Sequence, residues 1–150
     1  MFRSNFTEAE WQTVLFTPLW AFGTVSMVDA EVADSEAKVL TKELTEAMLY
    51  KDEFTREVLG SLMGSLGTVG VAFTADRRSP LLGLQEAALL LDAKLPGGGA
   101  DKFKFAVLGI CINTAKASGP RFRDKVSKEE KTAIALVATA LRIPVPMTTA

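Results

Sequence analysis

Four carboxylates lie within eight residues near position 30, a density of acidic groups that suits a metal site. They are Asp29, Glu31, Asp34 and Glu36, which span the predicted end of one helix and the start of the next. Hard divalent cations take several oxygen ligands, so carboxylates on one turn can converge on such an ion. The spacing is not that of an EF-hand loop. Helix capping is the favoured explanation, because Asp34 and Glu36 lie where a helix start favours acidic groups, and metal ligation is the alternative.

A second polar turn, at residues 126–130, repeats the pattern of residues 32–36 and aligns Glu130 with Glu36. Such an echo is expected of a duplicated helix–turn–helix unit, whose equivalent turns can approach each other. Facing carboxylates repel each other unless they share a proton, a cation or a basic side chain. Arg121, Arg123 or Lys125 could neutralise them in an ion-pair network, and a divalent metal ion is the functional alternative. The predicted metal ligands are Asp29, Glu31, Asp34, Glu36, Asp124 and Glu130.

The missing residue types exclude most familiar catalytic chemistry. The 150 residues contain no histidine and one cysteine, Cys111. A Ser-His-Asp triad, a Cys-His pair, a histidine-liganded zinc or haem and a ferritin-like di-iron site all need histidine. An intrachain disulfide needs a second cysteine, so the composition suits a reducing compartment. Cys111 lies between Ile110 and Ile112, where a buried, inert thiol is expected. No catalytic residue is predicted.

The charge is distributed unevenly along the chain. Residues 1–75 carry 11 acidic and 5 basic side chains, whereas residues 76–150 carry 7 acidic and 12 basic ones. Six basic residues fall in the segment 116–131, against three acidic ones. This segment is interpreted as a solvated helix face, and contact with phosphate groups is the alternative. Nucleic-acid binding is not predicted, because no binding motif accompanies the charges.

Helices must position these groups, since no strand-length alternation of apolar and polar residues occurs in the chain. Helix starts are marked by Ser79 before Pro80, by Asp101, and by capping boxes at Thr7 with Glu10 and at Ser127 with Glu130. Pro18 is expected to break or kink the first helix, and a second segment continues to about residue 28. The helix that starts at Asp101 is apolar nearly all round, which predicts a place in the middle of the bundle. The sequence predicts an all-α bundle of about seven helices.

A long helix over about residues 53–75 carries glycines three or four residues apart: Gly60, Gly64, Gly67 and Gly70. Their spacing predicts a groove without side chains where another backbone packs closely, with a break near Gly67 as the alternative. Aromatic residues that are predicted in the core could instead rim an apolar ligand pocket: Phe6, Trp11, Phe16, Trp20 and Phe22.

Two uncharged runs, residues 11–28 and 58–75, reach the lower length limit for a membrane-spanning helix. Polar residues and glycines dilute their hydropathy, so buried helices of a soluble bundle are favoured and no transmembrane segment is predicted. The N-terminal residues lack the regions of a signal peptide, which favours a cytoplasmic protein.

The segment 28–36 (Val-Asp-Ala-Glu-Val-Ala-Asp-Ser-Glu) resembles the Asp-Gly-Glu-x-x-x-x-Glu turn of the tellurite-resistance TerB-like family. Residues 91–96 through Phe103, 115–119 and 126–130 resemble the second half of that family, and the similarity covers about residues 11–143 in the right order. The chain departs from the family pattern at Ala30, where glycine is favoured, and at the second turn, where Arg123-Asp124-Lys125 is more basic than the acidic counterpart in the family. The resemblance implies one compact helical domain, residues 1–150 with a core of about 7–143, made of two pseudo-repeated helical hairpins.

The resemblance also implies a function in tellurite resistance and stress response, with metal binding and membrane-associated complexes. We therefore expect a non-enzymatic binding or scaffold module with protein partners in a stress-response complex, cytoplasmic or peripheral to the inner membrane face. A divalent cation at the paired acidic turns is the one cofactor considered, with no cofactor as the alternative, and a homodimer is left open. The alternatives are a carboxylate-dependent, metal-assisted hydrolase and a carrier of a small apolar ligand, whose pocket would open beside the glycine groove.

Overall fold

The computed structural model describes residues 2–26, 52–95, 99–118 and 128–143, and the structural statements below concern these residues. A short 3-10 helix, Phe2–Asn5, precedes six α-helices: α1 (Glu8–Ser26), α2 (Glu53–Gly64), α3 (Leu66–Ala75), α4 (Pro80–Lys94), α5 (Asp101–Ser118) and α6 (Lys128–Ala140). No strand occurs in the described ranges, so the predicted all-α class is confirmed. The pseudo-repeat stays a prediction, because the turns that define it fall wholly or partly outside these ranges.

α1 lies at the centre of the bundle and contacts each of the other five described α-helices, most extensively α4 and α5. It runs through Pro18 without ending, contrary to the predicted break. An internal proline costs about 3 kcal/mol, whereas burial of one large apolar side chain contributes about 1.5–3 kcal/mol. Fully buried side chains on both sides of Pro18, among them Phe16 and Trp20, therefore outweigh the cost of the proline.

α5 packs one face into the core, whereas its second apolar face is only partly covered, with Leu108 against the core and Phe105 at the surface. Its buried apolar residues are Phe103, Ala106, Val107, Ile110 and Cys111, whereas Phe105 is 50% exposed. The prediction that α5 occupies the middle of the bundle is therefore wrong. The central position belongs to α1, which contacts all five of the other described α-helices.

The predicted long helix over residues 53–75 is two helices, α2 and α3, which meet at Ser65 with a bend of 88°. The Ser65 hydroxyl donates to the Ser61 carbonyl at 2.7 Å, which satisfies a carbonyl at the end of α2. Bending lets both helices bury apolar residues, Leu59 and Leu62 from α2 and Val69 from α3. No single described helix has the length and hydropathy to cross a bilayer, and α2 with α3 pass that test only as a bent pair.

The glycines of α2 and α3 do not form the predicted contact groove. A Cβ atom added at Gly60, Gly64, Gly67 or Gly70 would meet no described atom within 4 Å. The close approach occurs instead at Gly83 of α4, where an added Cβ would overlap the Trp20 indole of α1. Gly83 therefore allows α1 and α4 to pack face to face at this point.

Candidate ligand-binding cleft

The predicted metal ligands are not placed by the structure. Asp29, Glu31, Asp34, Glu36 and Asp124 lie outside the described residues. Glu130 belongs to the first turn of α6, where only the backbone is described. Within the described part of the chain, no group of three or more acidic or cysteine side chains could hold a metal ion. The metal site and the pairing of the two acidic turns stay predictions.

An open cleft of about 590 Å³ lies between the first turns of α1 and one face of α3. α1 contributes five residues of one helix face: Glu8, Ala9, Trp11, Gln12 and Leu15. α3 contributes Thr68, Val69 and Ala72, which share one helix face, and Arg3 of the 3-10 helix closes one side. Of the five aromatic residues that the sequence placed around a pocket, only Trp11 lines this cleft.

The start of α1, which borders the cleft, is held by the predicted capping box. The Thr7 N–H donates to Glu10 Oε1 at 2.8 Å, and the Glu10 N–H donates to Thr7 Oγ1 at 3.1 Å. The first of these hydrogen bonds, with Lys94 at 3.5 Å from the carboxylate, lowers the pKa of Glu10. The capping box is therefore confirmed, and it orients the first turn of α1.

The N-terminal segment is fastened by partners that are distant in the sequence. The Glu57 carboxylate accepts hydrogen bonds from the backbone N–H groups of Phe2 at 2.9 Å and Arg3 at 3.0 Å. Lys94 Nζ donates to the Asn5 carbonyl at 3.0 Å. These contacts hold Arg3 at the cleft. Sequence reasoning missed Glu57, because nothing local links a carboxylate to amides 54 and 55 residues away.

Aromatic rings form the wall that supports Trp11. The Phe6 and Phe54 ring centroids lie 5.6 and 6.4 Å from that of Trp11, and Phe103 packs behind Phe54 at 5.3 Å. Trp11 is only 3% exposed, as predicted for a core residue. Its Nε1–H is buried and has no hydrogen-bond partner in the described part of the chain. A buried donor without an acceptor costs free energy, because it has lost its hydrogen bonds to water, and such groups are rare in folded proteins.

Arg78 joins the segment between α3 and α4 to α1. Its guanidinium and backbone N–H donate to Asp76, and its Nη1 donates to Glu86 at 2.9 Å and to Thr13 Oγ1 at 3.1 Å. The guanidinium also lies 4.7 Å from the centre of the Trp20 ring. The hydrogen bonds from Arg78 lower the pKa of Asp76 and raise that of Arg78. This cluster is a structural clamp rather than a binding site, because its donors are occupied by protein groups.

We expect acid to weaken this clamp. The folded-state pKa of Asp76 lies below its ordinary value of 3.8. The ionised carboxylate therefore stabilises the fold above pH 3.8, and this contribution is lost as the pH falls through the lowered pKa. Replacing Arg78 with glutamine should therefore reduce the free energy of unfolding more at pH 7 than at pH 3. Urea unfolding at both pH values measures this difference. Arg77→Gln is the matched control, since no hydrogen bond or ion pair joins the Arg77 side chain to Asp76 among the described residues. Equal pH dependence in the two variants would contradict the assignment.

Cys111 is fully buried, and this burial raises the pKa of its thiol to about 12. The thiolate is the reactive form of cysteine, so the thiol is inert at neutral pH, as predicted. Lys104, also buried, pairs with Asp92 at 2.7 Å, an interaction between α4 and α5 that the sequence did not suggest. Neither residue lines the cleft.

Comparison of the chain with protein-family models, with curated proteins and with solved structures finds no match. The resemblance to the TerB-like family thus rests on the sequence motifs alone. Among the described residues, the cleft between α1 and α3 is the candidate binding site.

Proposed function

We propose that the protein binds a small, largely apolar molecule in the cleft between α1 and α3. The observation that carries this proposal is the cleft itself, whose volume of about 590 Å³ lies within the range of small-molecule sites. Its walls come from the central helix α1 and from α3, an uncharged helix in which Val69 is the one buried residue. This choice corresponds to the carrier alternative that the sequence leaves open.

The lining supports an apolar ligand with a few polar contacts. Leu15, Val69 and Ala72 present hydrocarbon, and the edge of the buried Trp11 ring completes the apolar part of the lining. The charged groups, Arg3 and Glu8, are exposed at the rim. Apolar walls with a small number of polar groups at the edge are typical of sites that bind small organic molecules.

The adaptor and hydrolase predictions depend on different residues. The hydrolase, and the metal-binding part of the adaptor prediction, need the acidic turns at residues 29–36 and 124–130, whose acidic side chains lie outside the described part of the chain. They remain separate proposals that calorimetric titration with Ca²⁺, Mg²⁺ and Zn²⁺ would test on wild type beside Glu36→Gln and Glu130→Gln.

Filling the cleft should abolish binding without unfolding the protein. Thr68 is exposed and lines the cleft, so a phenylalanine at this position would occupy ligand space without disturbing the core. We expect Thr68→Phe to weaken the binding of Nile red, a neutral apolar dye, by about tenfold or more, which corresponds to ~1.4 kcal/mol. Fluorescence titration measures the dissociation constant.

Thr74→Phe is the matched control for this experiment. Thr74 is an exposed threonine of the same helix that does not line the cleft. It should leave the dissociation constant unchanged while adding the same apolar surface to α3. Equal loss in both variants, or no binding by the wild type, would reject the cleft as the site.

A further inference from the structure

Trp11, one of the residues that line the cleft, carries a buried hydrogen-bond donor without a partner in the described part of the chain. The residue lines the cleft, is 3% exposed, and its Nε1–H has no partner among the described residues. The indole nitrogen is a donor only, so it needs an acceptor. An unpaired buried donor costs free energy that an incoming acceptor would recover.

The surroundings of Trp11 keep its ring in place. The Phe6 ring lies against it on one side, and the Phe54 ring meets it edge-on. The Nε1 atom itself is covered, so an acceptor reaches it only when a neighbouring side chain moves. Arg3, Glu8 and Gln12 line the same cleft and are exposed, which leaves them room to rearrange.

The charges at the rim do not favour an ionic ligand. Arg3 and Glu8 carry opposite charges, so they present no net charge to a molecule that enters. The remaining lining residues are neutral. The chemistry that fits is an apolar body with one uncharged oxygen acceptor, as in a ketone, an ester or an ether.

We infer that the cleft recognises neutral, acceptor-bearing apolar molecules, and that Trp11 Nε1 donates the hydrogen bond that distinguishes them from plain hydrocarbons. This inference rests on the proposed function of the cleft. Trp11 is then a specificity-determining residue, because an apolar ring without the N–H would bind the hydrocarbon part equally well.

A matched pair of probes tests the inference: 2-acetylnaphthalene, which carries a ketone oxygen, and 2-ethylnaphthalene, in which that carbonyl is a methylene group. The ratio of their dissociation constants is measured for the wild type and for Trp11→Phe. We expect the substitution to shift the ratio about tenfold against the ketone, since removal of the donor leaves the carbonyl unpaired. The affinity for 2-ethylnaphthalene should change much less.

Nuclear magnetic resonance of the wild type gives a second measurement that does not depend on the variant folding. The chain has two tryptophans, so a ¹⁵N-labelled sample shows two indole N–H signals, with Trp20 as the internal reference. The Trp11 signal should move downfield with the ketone and not with the hydrocarbon. If both probes bind while this signal responds equally to each and the ratio is unchanged in Trp11→Phe, the inference is overturned and the proposed function stands. If neither probe binds while Nile red does, the inference is overturned and the proposed function stands; if Nile red does not bind either, both fail.

Discussion

Replacing Gly83 with alanine should destabilise the protein by about 3 kcal/mol, the upper part of the range for an overpacked core. The added Cβ would overlap three carbon atoms of the Trp20 indole, which is 2% exposed. The indole has little room to retreat, because Phe16 and Phe73 meet it at 5.4 and 6.1 Å and Arg78 lies over its face. α1 and α4, the most extensive helix pair of the bundle, must therefore separate. Urea unfolding followed by far-ultraviolet circular dichroism measures the loss.

Replacing Gly60 with alanine should stabilise the protein, the opposite of the effect expected at Gly83. Gly60 lies inside α2, and a Cβ there meets no described atom within 4 Å. Alanine is favoured over glycine in a helix interior by about 0.8–1 kcal/mol, so Gly60→Ala should raise the free energy of unfolding by about that amount. Two results would contradict the packing of α1 against α4. One is a Gly83→Ala variant as stable as the wild type, and the other is an equal loss of unfolding free energy in Gly83→Ala and Gly60→Ala.

Truncating Phe54 to alanine should remove about 3–5 kcal/mol of stability, the usual cost of deleting a buried aromatic ring. Phe54 is 2% exposed and meets four other rings: Phe2, Phe6, Trp11 and Phe103. The loss is a large share of the 5–15 kcal/mol that is typical of a domain. We also expect faster hydrogen exchange at the Arg3 amide, because the ring holds the segment whose amides bond to Glu57. Chemical unfolding and amide exchange check the two effects.

Phe105→Ala is the matched control for Phe54→Ala, because it removes the same type of side chain from an exposed position. Phe105 lies on α5 as Phe103 does, but its side chain is 50% exposed. It should cost less than about 1 kcal/mol and leave the N-terminal segment protected, as expected of a surface substitution. Similar losses for Phe54→Ala and Phe105→Ala would mean that the aromatic wall behind the cleft is not a structural centre.

Local signals predicted the helix starts well. The reciprocal bonds of Thr7 and Glu10 join groups three residues apart, so their pattern is visible in the sequence. Ser79 caps α4 at the Leu82 N–H with Pro80 in the first turn, for the same reason. Start signals work because the donor and acceptor lie within one helical turn.

Breaks inside helices were predicted poorly. Pro18 was expected to interrupt α1, and the bend after α2 was expected near Gly67 if at all, whereas α1 is continuous and the bend falls at Ser65. Propensity alone favours a break at proline or glycine. The outcome depends instead on which arrangement buries the flanking apolar residues, and that depends on the neighbouring helices.

The candidate site was predictable only in part. Burial of Trp11 follows from its place on an apolar helix, and a pocket beside the glycine-rich segment was one of the alternatives. The walls of the cleft were not predictable, because α1 and α3 lie more than 40 residues apart and the bend at Ser65 decides which face of α3 meets α1. The unpaired Trp11 N–H has no sequence signal, since an absent partner is a property of the packed structure.

By itself, the sequence determined the helical class, the capped helix starts, the burial of the tryptophans and the exclusion of histidine chemistry. All of these follow from residue types and from contacts within one turn. The tertiary structure alone decided that Glu57 binds the N-terminal amides, that the Trp20 ring packs against Gly83 and that a cleft opens beside Trp11. Each of these features joins groups far apart along the chain, and their meeting depends on the angles and distances at which whole helices pack.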